Sequence, residues 1–160
     1  MDSLAKATTV LDDFSVSSEP GNERAALARV ADAVKDFDLA PLRLERLKTA
    51  VAEATMNAIE HGNHNRAELP VQIRVLSRAD ALIVTITDQG GQPADAPDPA
   101  VPDLEAKLAG LQTPRGWGLF LIKNMVDELA VSADDQQHTV ILTVRLQEFS
   151  TTEAGDAEHL

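Results

Sequence analysis

The chain has 160 residues, enough for one domain with a real core, and its 44% hydrophobic content excludes a mainly disordered polymer. It has no cysteine, which excludes disulfides and thiolate metal sites. Its 26 acidic and 14 basic residues leave a net charge of -12, a surface that repels nucleic acid and anionic membranes and favours a basic protein partner. The first residues lack the long apolar run of a signal peptide, and no segment reaches membrane-spanning length. The expectation is a soluble cytoplasmic protein with no direct nucleic-acid or membrane contact.

In chain order, residues 8–16 predict an edge strand. Residues 18–22 are turn-rich, and Asn22 is placed to cap the next helix. Leu27, Val30, Val34 and Phe37 recur at helical spacing, which predicts a helix over 23–37. Pro41 suits a helix start, and a second helix is expected from there to His61. Its apolar stripe is Leu44, Leu47, Val51, Ala54 and Ala58. Gly62 is read as its left-handed stop, with His61 and His64 near the negative pole.

Two alternating segments follow. Val71, Ile73 and Val75 pair with Leu82, Val84 and Ile86 in an expected antiparallel hairpin. The two-residue period puts Asp88 on the same apolar face, at the rim between sheet and helices. Residues 89–103 hold two glycines and four prolines, an irregular stretch of the kind that is functional or mobile. A short helix within 101–110 is expected. Residues 115–118 read as a tight loop feeding a helix that carries Leu119, Ile122, Val126 and Leu129 on one side. Two closing strands, about 130–134 and 138–147, complete the domain. Residues 150–160 read as a frayed polar tail.

Polar groups beside the buried stripe need an explanation. Glu53, Asn57 and His61 repeat every fourth residue, so a carboxylate, an amide and an imidazole stack along one helix edge. Such groups are costly next to a core unless they meet a ligand, a metal or each other. A wet helix edge explains the spacing equally well. Glu60, His61 and His64 form a conceivable metal set, with a structural role for His61 preferred.

Three sites occur in order: Glu53, Asn57 and His61 on a helix, Asp88, Gly90 and Gly91 after a strand, and Arg115, Gly116, Trp117, Gly118 and Leu119 at a helix start. Together they resemble the nucleotide-binding boxes of the GHKL superfamily of histidine-kinase-like ATPases, and more closely the bacterial anti-sigma-factor serine/threonine kinases. The resemblance covers roughly residues 8–147. Residues 51–63 (VAEATMNAIEHGN) and 115–128 (RGWGLFLIKNMVDE) carry it most specifically. It implies an α+β fold of the Bergerat type, a two-layer sandwich of a mostly antiparallel mixed sheet with helices on one face. One domain over residues 1–149 is expected, with a lid at about 92–114.

The resemblance also implies roles. Asp88 receives the adenine amino group, and Gly90 lets the backbone approach the base. Asn57, a hard oxygen ligand, holds Mg²⁺ at the ATP phosphates. Glu53 is the general base or orients the attacking hydroxyl. Gly116 and Gly118 offer amides at a helix N-terminus, and Arg115 reaches the terminal phosphate. Trp117, bulky between the two glycines, is expected to project outward if only the backbone faces phosphate. The implied activity is transfer of the ATP γ-phosphate to a serine or threonine of an anti-sigma-factor antagonist by a homodimer that also sequesters a sigma factor. The family pattern carries a second glycine two residues after the first, whereas here Gly90 is followed by Gly91, Gln92 and Pro93. That departure keeps a second reading open, a nucleotide-gated binding module without kinase activity. A histidine-kinase catalytic domain and a fold relative that binds no ATP rank behind these two.

Overall fold

The structure is a computed structural model and describes residues 8–90 and 114–146. The expected short helix within 101–110, the tail and nearly all of the proposed lid lie outside the described residues. The elements are β1 (Thr9–Ser17), α1 (Glu23–Ala33), α2 (Pro41–Asn57), a π-helical turn (Ala58–Gly62), β2 (Pro70–Arg78), β3 (Ala81–Asp88), α3 (Pro114–Lys123), β4 (Glu128–Ala133) and β5 (His138–Arg145).

The five strands form one sheet in the order β1-β2-β3-β5-β4, with helices packed on one face. Among the described residues all four pairings are antiparallel, so the mostly antiparallel sheet expected from sequence shows no parallel pair there. The reason is topological. β4 runs in the same direction as β3, but β5 lies between them and separates the two. β1 is an edge strand, as its sequence implied.

Alternation sets the core. Val71, Ile73 and Val75 of β2, Leu82, Val84 and Ile86 of β3, and Val140, Leu142 and Val144 of β5 are buried together. Helix α2 contributes Leu47, Ala50, Val51 and Ala54 to the same cluster. Leu44, at the exposed end of the predicted stripe, is only partly buried. Helix α1 adds Ala26 and Val30, and is fastened to β1 by Arg29. That guanidinium grips Asp12 through Nε at 3.1 Å and Nη2 at 2.7 Å, and lies 4.2 Å above the Phe14 ring.

Several element ends differ in detail from the sequence reading. Helix α1 ends at Ala33, and Val34 and Phe37 pack on the core from the turn beyond it. Asn22 occupies the N-cap position of α1 as expected but makes no side-chain cap bond; its Nδ2 donates to the Ser17 carbonyl at 2.9 Å and thereby closes the β1–α1 corner. Helix α3 ends at Lys123, so only Leu119 and Ile122 of the predicted stripe are buried from the helix. Leu129 reaches the core from β4, where a two-residue period with Val131 replaces the helical one.

Candidate functional site

The site is built where α2 passes the end of β3. Helix α2 does not stop at Asn57 but widens into the π turn, closed by the Asn63 amide donating to the Ala58 carbonyl at 2.8 Å. π turns accommodate an extra residue, and they recur at functional sites. The extra residue breaks the four-residue stacking expected of Glu53, Asn57 and His61. Glu53 and Asn57 still lie one turn apart on α2, about 6 Å along the axis. His61 falls within the π turn and is partly exposed.

Gly62 ends that turn for a reason the sequence reading missed. Its backbone is not left-handed; the left-handed residues are the next two but one, His64 at φ 53° and Asn65 at φ 58°. Gly62 lacks a side chain because a Cβ there would fall inside the carboxylate of Asp88. Asp88 is 1% exposed, at the inward-facing end of β3 where the alternation placed it. Its Oδ1 accepts the Gly90 amide at 2.7 Å. A Cβ on Gly90 would stand 2.8 Å from that oxygen and 2.9 Å from the Gly62 carbonyl oxygen. Two glycines therefore clear the space in which this carboxylate sits.

Two further residues surround Asp88. His138 pairs across the strands with Asp88, and its Nδ1 is 3.4 Å from Asp88 Oδ2, with both side chains buried. The signal was present in sequence, since the period that turns Val140 and Leu142 inward extends to His138. Asn63, wholly buried, accepts the Gln89 amide on Oδ1 at 2.7 Å.

On α2, Asn57 is 6% exposed, and its Nδ2 has no hydrogen-bond partner among the described residues. A buried amide in that state suits a polar ligand, because leaving it unsatisfied is unfavourable. Glu53 borders an apolar cavity of about 110 Å³ formed with Thr49, Ala50, Leu121, Ile122 and Met125. Burial, and secondarily the charge of Glu60, raise its carboxyl above the ordinary glutamate range. A carboxyl tuned upward is better suited to accept a proton. Among the described residues, no three His, Asp or Glu side chains gather into a metal-holding group.

The third sequence motif takes a different form from the one expected. Arg115, Gly116, Trp117 and Gly118 already lie in helix α3, which begins at Pro114, rather than in a loop before it. Pro114 has no amide, so the free donors of the first turn fall at Arg115 and Gly116. Gly118 lies far enough inside for its amide to join the helical ladder. Helix α3 packs beside α2, with Leu119 buried.

An antiparallel sheet covered on one face by helices, its central strand ending on a buried carboxylate opposite a helix-end glycine, is the build of a histidine kinase-like ATPase. The chain belongs to that family: the histidine kinase-like ATPase domain matches residues 16–144. Its relatives include anti-sigma F factors. The one from Oceanobacillus iheyensis is 32% identical over 143 residues, covering 88% of this chain and 97% of that protein. The one from Geobacillus stearothermophilus is 31% identical over 134 residues, covering 80% and 85%. Among solved structures, the RsbU and RsbW domains of Rv1364c from Mycobacterium tuberculosis share the fold, with a TM-score of 0.60 at 16% identity. The match covers 84% of this chain and 32% of that longer one. No helix among the described residues is long and apolar enough to cross a membrane.

Proposed function

We propose that the chain is an ATP-dependent serine/threonine protein kinase of the anti-sigma-factor type. It transfers the γ-phosphate to a serine or threonine of an anti-sigma-factor antagonist and sequesters a sigma factor. The observation that carries the reading is Asp88: a buried carboxylate at the end of the central strand, lodged in room that only glycine at positions 62 and 90 leaves. Such an acceptor matches the exocyclic amine of adenine. The relationship to anti-sigma F factors supports the choice of substrate and partners.

Each residue then has a task. Asp88 takes the adenine amino group, and Gly90 lets the base approach. The Asn57 side-chain oxygen would hold Mg²⁺, which would neutralise phosphate charge when bound. The first-turn amides of α3 and Arg115 are assigned to the phosphates, with Trp117, Gly118 and Leu119 as the rest of that box. Glu53 accepts the proton of the substrate hydroxyl. The hydroxyl oxygen bonds to the γ-phosphorus as the bond to the bridging oxygen breaks, and ADP leaves. A homodimer in the cytoplasm, with a basic sigma region docked on the acidic surface, completes the proposal.

The test is incubation with γ-labelled Mg-ATP and candidate antagonist proteins. Label transfer that Glu53→Ala abolishes is the expected result. ATP binding without transfer to any antagonist favours a nucleotide-gated binding module.

A further inference from the structure

Asn63 has no role in the reading above, yet its side chain uses all of its amide. Oδ1 accepts the Gln89 amide at 2.7 Å. Nδ2 donates to Ser18 Oγ at 2.9 Å, to the Pro70 carbonyl at 3.2 Å and to the Leu69 carbonyl at 3.3 Å. Ser18 Oγ itself donates to the Leu69 carbonyl at 2.6 Å. One wholly buried side chain thus joins the end of β1, the start of β2 and the loop after β3.

The backbone is bent to put it there. The Asn63 amide closes the π turn on Ala58, and the Asn65 amide reaches back to the Ile59 carbonyl at 2.8 Å. His64 and Asn65 follow, both left-handed, a conformation that side chains other than glycine adopt infrequently. Strain of this kind persists only where surrounding contacts over-determine it. The Asn65 amide bond to Ile59 holds the bend from within, and the Asn63 side-chain bonds lie at its start.

We infer that Asn63 is a positioning residue for base recognition, acting through Asp88 without touching the nucleotide. This rests on the proposed reading of Asp88 as acceptor of the base amino group. Gln89 lies between Asp88 and Gly90. With its amide fixed by Asn63, the next amide, on Gly90, stays aimed at Asp88 Oδ1. Without Asn63 the Gln89 amide loses its buried acceptor, the loop rotates to find another, and the Gly90 amide leaves the carboxylate. Asp88 then loses the amide that fixes Oδ1. An asparagine is required because serine is too short and aspartate lacks the donors.

The experiment compares affinities for Mg-ATP and for the triphosphate of purine riboside, which lacks the exocyclic amino group. The ratio of the two reports how well Asp88 meets the amine. Asn63→Ala is expected to lower the ratio about tenfold, with the analogue itself bound within about twofold of wild type. Ser18→Ala removes a partner on the far side of Asn63. It is expected to lower the melting temperature and leave the ratio unchanged, which separates positioning from general loosening. An unchanged ratio in Asn63→Ala, with a collapsed ratio in Asp88→Asn, overturns the inference and leaves the base reading standing. An unchanged ratio in Asp88→Asn overturns the base reading itself. Should Asn63→Ala fail to fold, amide hydrogen exchange in the wild type decides. Gln89 and Gly90 protected well beyond free-loop rates support the clamp, and free-loop exchange at Gln89 contradicts it.

Discussion

Gly62 and Asp88 compete for one volume: a Cβ on the glycine would fall inside the carboxylate of the aspartate. The π turn and the end of β3 meet at this point, so the helix can carry no side chain there without displacing Asp88. Gly62→Ala is expected to cost about 1–3 kcal/mol of stability, as overpacking does, and to weaken Mg-ATP binding at least about tenfold. Chemical unfolding and calorimetric titration of the same preparation check both effects. A stable variant with unchanged affinity contradicts the assignment of Asp88 to the base.

Glu53 links function to pH. Burial first, and the charge of Glu60 second, raise its carboxyl in the folded state. Below the unfolded-state value both states are protonated, and replacement by glutamine changes little. As pH rises through the folded value, the fold must hold a charge it disfavours, and that stabilising contribution is lost. Glu53→Gln is therefore expected to stabilise the protein by roughly 0.5 kcal/mol at about pH 8, after allowing for the solvent that screens a half-exposed group, and by nothing measurable near about pH 3.5. Urea unfolding at the two pH values measures this, and the same variant is expected to lose phosphotransfer.

Asp127 has the opposite sign. Burial alone would raise it, but the Arg145 amide at 2.6 Å and the Arg43 guanidinium at 2.8 Å outweigh that and hold it below the ordinary aspartate range. Arg43 also donates to the Arg145 carbonyl at 2.7 Å, tying α2 to β5. The contribution is present above the unfolded-state value and lost as pH falls through the folded one. Asp127→Asn is expected to cost about 1 kcal/mol at neutral pH, given how exposed the pair is, and almost nothing in strong acid. Nucleotide affinity is expected to stay within about twofold, since the contact lies away from Asp88.

Much of this site was legible because its parts repeat locally. Alternation in β3 placed Asp88 inward, and the helical period put Glu53 and Asn57 beside the α2 stripe. What stayed hidden depends on contacts distant in sequence. His138 meets Asp88 only through the β3–β5 register, and Asn63 meets Gln89 only once the π turn and two left-handed residues have folded. The π turn has no period of its own to read. Val126 and Leu129 misled because their spacing continues that of α3, although Leu129 reaches the core from a strand. Pro114 could have announced the helix start, which would have moved Arg115 and Gly116 into its first turn.

The central claim is that Asp88 anchors a nucleotide pocket. Calorimetric titration of Mg-ATP into the wild type and Asp88→Asn tests it most directly. Binding by the wild type, weakened about tenfold or more in the variant while the melting temperature of the free protein stays close to wild type, is the expected result. Equal affinity in the two proteins contradicts the account.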